Sequence, residues 1–171
     1  MTGLKETKQG GASLTFEGDE RLLKVFGRLA DPAQRRDLMW NIATAGVSST
    51  QQRFMDERAP DGTTWTQSFR AKETGGKTLR FSNLLYQSIH GEASETEAQW
   101  GTNMEYAGTH QFGAVIVPKV KKALRFALAN GKFVTVKKVK IPARPFLGLN
   151  DADKTRIGEV TEVWFKKKVQ A

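Results

Sequence analysis

Cysteine is absent from this 171-residue chain, and its absence removes several kinds of chemistry at once. Without thiols there can be no disulfide, no thiolate nucleophile and no thiolate metal site. Histidine is nearly as scarce: only His90 and His110 occur, and neither has a second histidine or a carboxylate at metal-ligand spacing. The sequence therefore predicts no metal site, no cofactor and no thiol catalysis.

Long apolar runs are missing too. None approaches the roughly eighteen residues that a membrane span requires, and the polar N-terminus lacks the apolar centre of a signal peptide. The sequence also has no nucleophile elbow, phosphate-binding loop or dinucleotide motif. Acidic residues cluster only at Asp56, Glu57 and Asp61, near a turn, where carboxylates are usually solvated. We expect neither a membrane partner nor an enzyme, and no catalytic residue is predicted.

Acidic residues are outnumbered, 18 against 27 lysines and arginines, which leaves a net charge of +9. This charge raises the question of an acidic partner or nucleic acid, although it also serves solubility. Residues 119–140 hold eight cations and no acid: Lys119, Lys121, Lys122, Arg125, Lys132, Lys137, Lys138 and Lys140. A solvated segment that contacts protein is favoured over one that contacts DNA in a channel, because few aromatics are available for base stacking.

The order of predicted elements indicates an α+β fold, with helices on one face of an antiparallel sheet. Residues 1–12 are predicted to be a disordered tail and residues 13–171 a single domain. A long N-terminal helical pair is predicted, the first helix capped by Asp19 and the second running roughly from Pro32 to Arg58. Asp151 is expected to cap a C-terminal helix. Asn130 and Gly131 predict the turn of a projecting basic β-hairpin over residues 119–140.

Apolar spacing predicts which side chains face the core. The first helix contributes Leu22, Leu23, Phe26 and Leu29; the second contributes Leu38, Ile42, Ala45 and Phe54. Later candidates are Trp65, Leu84, Leu85, Tyr86, Trp100, Ile157, Val160, Val163 and Trp164. Arg53 is expected on the solvated face of the second helix, and Gly46 could bend it. The polar residues 66–79 are expected to form an exposed, mobile loop.

Two dense motifs, YAGTHQFG at residues 106–113 and IPARPFLG at residues 141–148, predict a fixed backbone shape. His110 is expected to be a packed, hydrogen-bonded core group rather than a catalyst. Prolines at 142 and 145 hold Arg144 extended, and its guanidinium has two open interpretations: a carboxylate of its own fold, or a contact between subunits. Phe146 and Leu147 are expected in the core.

These motifs occur in one series with PDGTTW at residues 60–65, LLYQSI at 84–89 and GTN at 101–103. The series resembles the virion morphogenesis, or tail-completion, family of tailed phages and Mu-like prophages, over residues 14–165. Two places depart from that pattern: Thr109 replaces an apolar residue, and Phe81 to Leu84 replace a Leu-x-x-Ser-Gly-x-Leu series. The motif residues given a structural role are Pro60, Gly62, Trp65, Tyr106, His110, Phe112, Gly113, Pro142, Pro145, Phe146 and Gly148.

The resemblance implies a non-enzymatic structural protein that completes the head-proximal end of the tail, or neck, where head joins tail. It implies a homo-oligomeric ring, hexameric in the family, with other neck and tail proteins as partners, assembled in the host cytoplasm and found in the virion. A ring needs heterologous contacts, and the hairpin could add a strand to a neighbouring subunit. Expected interface residues are Arg144, Lys121, Lys122, Arg125, Lys137, Lys138 and Lys140. The alternative function is a basic nucleic-acid-binding module that uses the 119–140 hairpin.

Overall fold

A computed structural model describes residues 2–6, 12–17, 31–128 and 130–169, and it has the α+β class that the sequence predicted. The strands in this part are β1 Thr2–Glu6, β2 Ala12–Glu17, β3 His90–Ala93, β4 Glu97–Thr102, β5 Ala114–Ile116, β6 Leu124–Ala127, β7 Phe133–Val136 and β8 Val139–Ile141. The helices are α1 Pro32–Asp56, α2 Phe69–Thr74, α3 Leu84–Gln87, α4 Ala107–Phe112 and α5 Asp151–Val169.

The described strands form one four-stranded antiparallel sheet, in the order β1-β2-β4-β3, and two separate antiparallel pairs, β5-β8 and β6-β7. Strand β1, Thr2–Glu6, lies within the segment predicted to be a disordered tail. Residue 1 and residues 7–11 lie outside the described residues. The predicted first helix, capped by Asp19, also lies outside them.

Helix α1 begins as its sequence predicts. Asp31 is the N-cap, and its carboxylate accepts a hydrogen bond from the Ala33 amide at 2.9 Å, while Pro32 occupies the first turn. The four apolar side chains predicted to be buried are all buried: Leu38, Ile42, Ala45 and Phe54.

Gly46 allows the sheet to approach α1 closely. The helix continues through this residue, and a Cβ added there would lie 2.3 Å from ring carbons of Trp100 on β4. Trp100 is itself almost fully buried, as predicted. The glycine is therefore needed because the indole occupies the space of a side chain, and not because the helix ends there.

Two clusters of buried side chains include residues of α1. One joins Phe54 to Trp65, Trp100, Phe146 and Leu147, so it links α1 to the sheet and to the second motif. The other holds residues of α1 with Ala98 of β4 and with Ile157 and Trp164 of α5. Helix α1 thus lies between the sheet and the C-terminal helix.

Three local predictions about the helices need correction. Asn150, not Asp151, caps α5: its side chain accepts from the Asp153 amide and its own amide donates to the Asp153 carboxylate, both at 2.9 Å. Val163 and Leu84 were predicted to be buried, but they are 52% and 54% exposed. Each lies on a helix whose neighbouring apolar residue faces inward instead.

The segment at residues 66–79, predicted to be an exposed loop, contains helix α2. Ser68 caps this helix by accepting from the Ala71 amide at 3.1 Å, and Gly75 ends it with a φ of 68°. Thr78 is fully buried, and its amide donates to the carboxylate of Glu57 at 2.5 Å. This segment is therefore held against the end of α1, and it is not an open loop.

Candidate functional site

The two motifs lie side by side in the fold. Helix α4 carries the first one, and Gly113 ends it with a φ of 75°, where an added Cβ would lie 2.9 Å from the Ala143 nitrogen. The Arg144 amide donates to the His110 carbonyl at 2.7 Å. Strand β5 follows the first motif and pairs with β8, which leads into the second. Residues 142–149 lie in no strand, so their backbone groups need side-chain partners.

Gln111 supplies three of these partners. Its side-chain oxygen accepts from the amides of Phe146 and Leu147, both at 3.0 Å, and its side-chain nitrogen donates to the Leu147 carbonyl at 2.9 Å. Gln111 is only 2% exposed. Its side-chain amide therefore makes the hydrogen bonds that a neighbouring strand would make if this segment were part of a sheet. The sequence does not reveal this role, since nothing local distinguishes a glutamine that binds buried backbone groups from one at the surface.

Arg53 holds the same segment from the side of α1. Its guanidinium donates to the carbonyls of Phe146 at 3.0 Å and Gly148 at 2.9 Å, and it forms an ion pair with Asp153 of α5. Burial lowers the pKa of Arg53, while the Asp153 carboxylate opposes that shift. The prediction that Arg53 faces solvent is wrong, because the residue is 6% exposed.

The turn at residues 59–65 adds a third attachment. The amide of Gly62 donates to the Ala59 carbonyl at 2.9 Å, with Gly62 at a φ of 83°, as the proline–glycine pattern predicts. Trp65 then lies in the core, where its indole nitrogen donates to the Pro145 carbonyl at 2.9 Å. Side chains from α1, α4 and this turn therefore hold residues 145–148 in place, as a group that we call the motif clamp: Arg53, Trp65 and Gln111.

Arg144 is buried, and it points back into its own chain. Its side-chain Nε donates to the Thr66 carbonyl at 2.7 Å, and burial lowers its pKa. None of the ion pairs among the described residues includes Arg144. Its partner there is the Thr66 carbonyl, where one interpretation of the sequence expected a carboxylate of the same fold. A role between subunits remains a prediction.

His110 packs edge-on against Tyr106, with ring centroids 5.9 Å apart. Burial lowers the pKa of His110, and the positive charge of Arg144 adds to this effect. The predicted hydrogen bond is not found at its buried Nδ1, which has no partner among the described residues. Tyr106 and Phe112 are 39% and 47% exposed, so they contribute less to the core than the motif suggested, whereas Phe146 and Leu147 are buried as predicted.

Strands β5 to β8 form an exposed segment, residues 114–141, which we call the basic ribbon. The return strand of the predicted hairpin is divided in two at Lys137 and Lys138, because β7 pairs with β6 while β8 pairs with β5. The predicted turn follows β6, with Gly131 at a φ of 79°. All eight cations of the ribbon are exposed.

The ribbon also exposes apolar side chains. The pairing of β6 with β7 places Arg125, Ala127, Phe133 and Thr135 on one face, and the Arg125 guanidinium lies 4.9 Å from the centre of the Phe133 ring. The exposed apolar residues of the ribbon, from 39% to 97% exposed, are Val115, Ile116, Val117, Val120, Phe126 and Phe133. At its tip, Asn130 donates to the Glu73 carboxylate of α2 at 3.2 Å.

Within the described residues, no group of three or more histidine, aspartate or glutamate side chains is arranged to hold a metal ion. No helix of that part is long and apolar enough to cross a membrane.

The chain is similar to known phage and prophage proteins. The phage virion morphogenesis family matches residues 18–166. Tail completion protein S of Escherichia phage P2 is 31% identical over 147 residues, which cover 83% of this chain and 91% of that protein. Mu-like prophage FluMu G protein 2 of Haemophilus influenzae is 32% identical over 148 residues, 86% of this chain and 91% of the relative. No solved structure matches.

Proposed function

Because this chain belongs to the phage virion morphogenesis family, we propose that it completes the head-proximal end of the tail and joins tail to head as a ring of identical subunits. One relative is named a tail completion protein, and the other is named for a Mu-like prophage. The proposed ring is a hexamer that lies in the neck of the virion, after assembly in the host cytoplasm. Its other partners are neck and tail proteins.

The basic ribbon is the observation that supports a ring. A two-stranded ribbon is only marginally stable by itself in water, yet this one exposes six apolar side chains. Exposed apolar residues that lie together and are flanked by polar ones are typical of a surface that a protein partner covers. A ring requires such a surface to meet a different surface on the next subunit.

The motif clamp explains how the ribbon is presented. Strand β8 runs directly into the segment that Arg53, Trp65 and Gln111 hold by buried hydrogen bonds. The base of the ribbon is therefore fixed before any partner arrives. Fixing a binding element in advance reduces the conformational entropy that association costs. We assign the buried motif residues to this positioning role, and the contacts with partners to the ribbon.

The test compares the purified chain with a variant in which residues 121–138 are replaced by a short glycine–serine turn. Light scattering and electron microscopy are expected to show rings for the parent and folded monomers for the variant. Phages that lack the protein are expected to give headless tails beside DNA-filled heads without tails. Normal virions from such phages, or intact rings from the ribbon variant, would contradict the proposal.

DNA binding by the ribbon is the second candidate, and eight exposed cations in a segment with no acidic residue favour it. Neutralised phosphates release counterions, so such binding would weaken steeply as salt rises. Only Phe126 and Phe133 could stack on bases, and Arg125 already covers the Phe133 ring. Binding of duplex DNA by the monomer, with a steep salt dependence that disappears in the ribbon variant, would favour this function over the ring.

A further inference from the structure

We propose that a free edge of the basic ribbon of one copy pairs with the free edge of strand β3 in the next copy. This proposal rests on the proposed ring. In this arrangement each subunit gives a ribbon to one neighbour and accepts a ribbon from the other. The contact is heterologous, and a heterologous contact gives a ring when its repeated rotation closes.

The receiving element is an outer strand. β3 ends the sheet order β1-β2-β4-β3, and in the described part of the chain its only strand partner is β4. The other side of such a strand leaves alternate amides and carbonyls without a sheet partner, which makes it a template for a strand from another chain. Helix α1 packs against β3 close to Gly91, and it leaves His90 and Glu92 exposed on this strand.

Charge complementarity favours the basic ribbon as the partner of β3. Residues 81–118, which include β3 and β4, contain four glutamates and no lysine or arginine, whereas residues 119–140 contain eight cations and no acid. Glu95 is bound to Arg35 of its own chain at 2.5 Å. Glu92 has only the weaker contact with His90 at 3.8 Å, and its side chain is 72% exposed. A cation from a neighbour can therefore reach Glu92.

The ribbon has the matching features. β6 and β7 pair only with each other among the described strands, so each has one free edge. Within one subunit the ribbon tip contacts α2 through Asn130 and Glu73, and not the acidic strand. Strands that pair lie about 4.8 Å apart. We choose the register that sets Arg125, or its cross-strand partner Thr135 at the other edge, beside Glu92, because Arg125 is the one cation within β6 and β7.

The absence of native cysteine makes disulfide trapping a clean test. Glu92→Cys is combined with Arg125→Cys in one variant and with Thr135→Cys in another, one for each edge of the ribbon. Oxidation of preassembled rings is expected to give a ladder of linked subunits for one of the two, because only adjacent strands bring the two Cβ atoms to about 4 Å. The matched control, Glu92→Cys with Lys154→Cys on α5, is expected to stay unlinked.

Charge exchange gives an independent measurement. Glu92→Lys is expected to raise the dissociation constant of the ring about tenfold, and adding Arg125→Glu is expected to reverse most of that loss. Rings that form normally while neither ribbon variant becomes linked would overturn this contact and leave the proposed function standing. A chain that stays monomeric at every concentration would overturn both.

Discussion

Replacing Gln111 with leucine is expected to lower the free energy of unfolding by about 3–6 kcal/mol. Leucine is similar in size to glutamine, so the change removes hydrogen bonds without opening a large cavity. The side chain is 2% exposed, and water cannot easily take the place of the amide. The predicted loss therefore measures how strongly one polar side chain holds the second motif.

The magnitude follows from three backbone groups. The amides of Phe146 and Leu147 and the carbonyl of Leu147 would all lose their partner. A buried polar group without a hydrogen bond costs about 1–3 kcal/mol, and partial relaxation keeps the total in the lower half of the simple sum. Because domains of this size are stable by only about 5–15 kcal/mol, the loss would be a large part of the total.

Urea unfolding followed by tryptophan fluorescence measures the effect, since Trp65 and Trp100 lie in the same core cluster as the motif. With a slope of about 2 kcal/mol per molar urea, the midpoint is expected to fall by at least about 1.5 M. Gln87→Leu is the matched control, because Gln87 is exposed, and it should change stability by less than about 0.5 kcal/mol. A Gln111→Leu midpoint equal to that of the parent would refute the clamp.

Three further predictions test the packing and charge around the clamp. Gly46→Ala is expected to destabilise the protein by about 1–2 kcal/mol, because the cost of overpacking against Trp100 exceeds the gain in helix propensity. In a Trp100→Phe background the same substitution should cost less. If the shifts of the urea midpoint from the two substitutions simply add, the contact is contradicted. Arg53→Met is expected to cost about 3–5 kcal/mol by leaving the Asp153 carboxylate buried without its partner, and adding Asp153→Asn should recover part of the loss in the same assay. The pKa of His110 is lowered in the folded protein, so the unfolded chain binds more protons and stability falls as pH drops below the ordinary histidine pKa. His110→Gln should therefore make the urea midpoint depend less on pH between pH 7.5 and 5.5. If the midpoint changes with pH as it does in the parent, the burial of His110 is contradicted.

Local sequence patterns predicted the features that depend on neighbouring residues. Asp31 and Pro32 predicted the start of α1, and the spacing of its apolar residues identified Leu38 and Phe54 as core residues. The proline and glycine of residues 60–62 predicted the turn before Trp65. Such patterns succeed because capping, helical periodicity and turn conformation are decided within a few residues of the chain. The same motif series also pointed to the family.

The sequence by itself thus determined the α+β class, the main helices, the basic hairpin turn and the family. Only the tertiary structure decided which polar residues are buried: Arg53 and Gln111 look like surface residues until residues 145–148 come to lie between them. The same is true of Gly46, which is required by an indole 54 residues away, and of the division of the ribbon, which follows from the pairing of β5 with β8. These outcomes depend on contacts between distant parts of the chain, and no local propensity encodes such contacts.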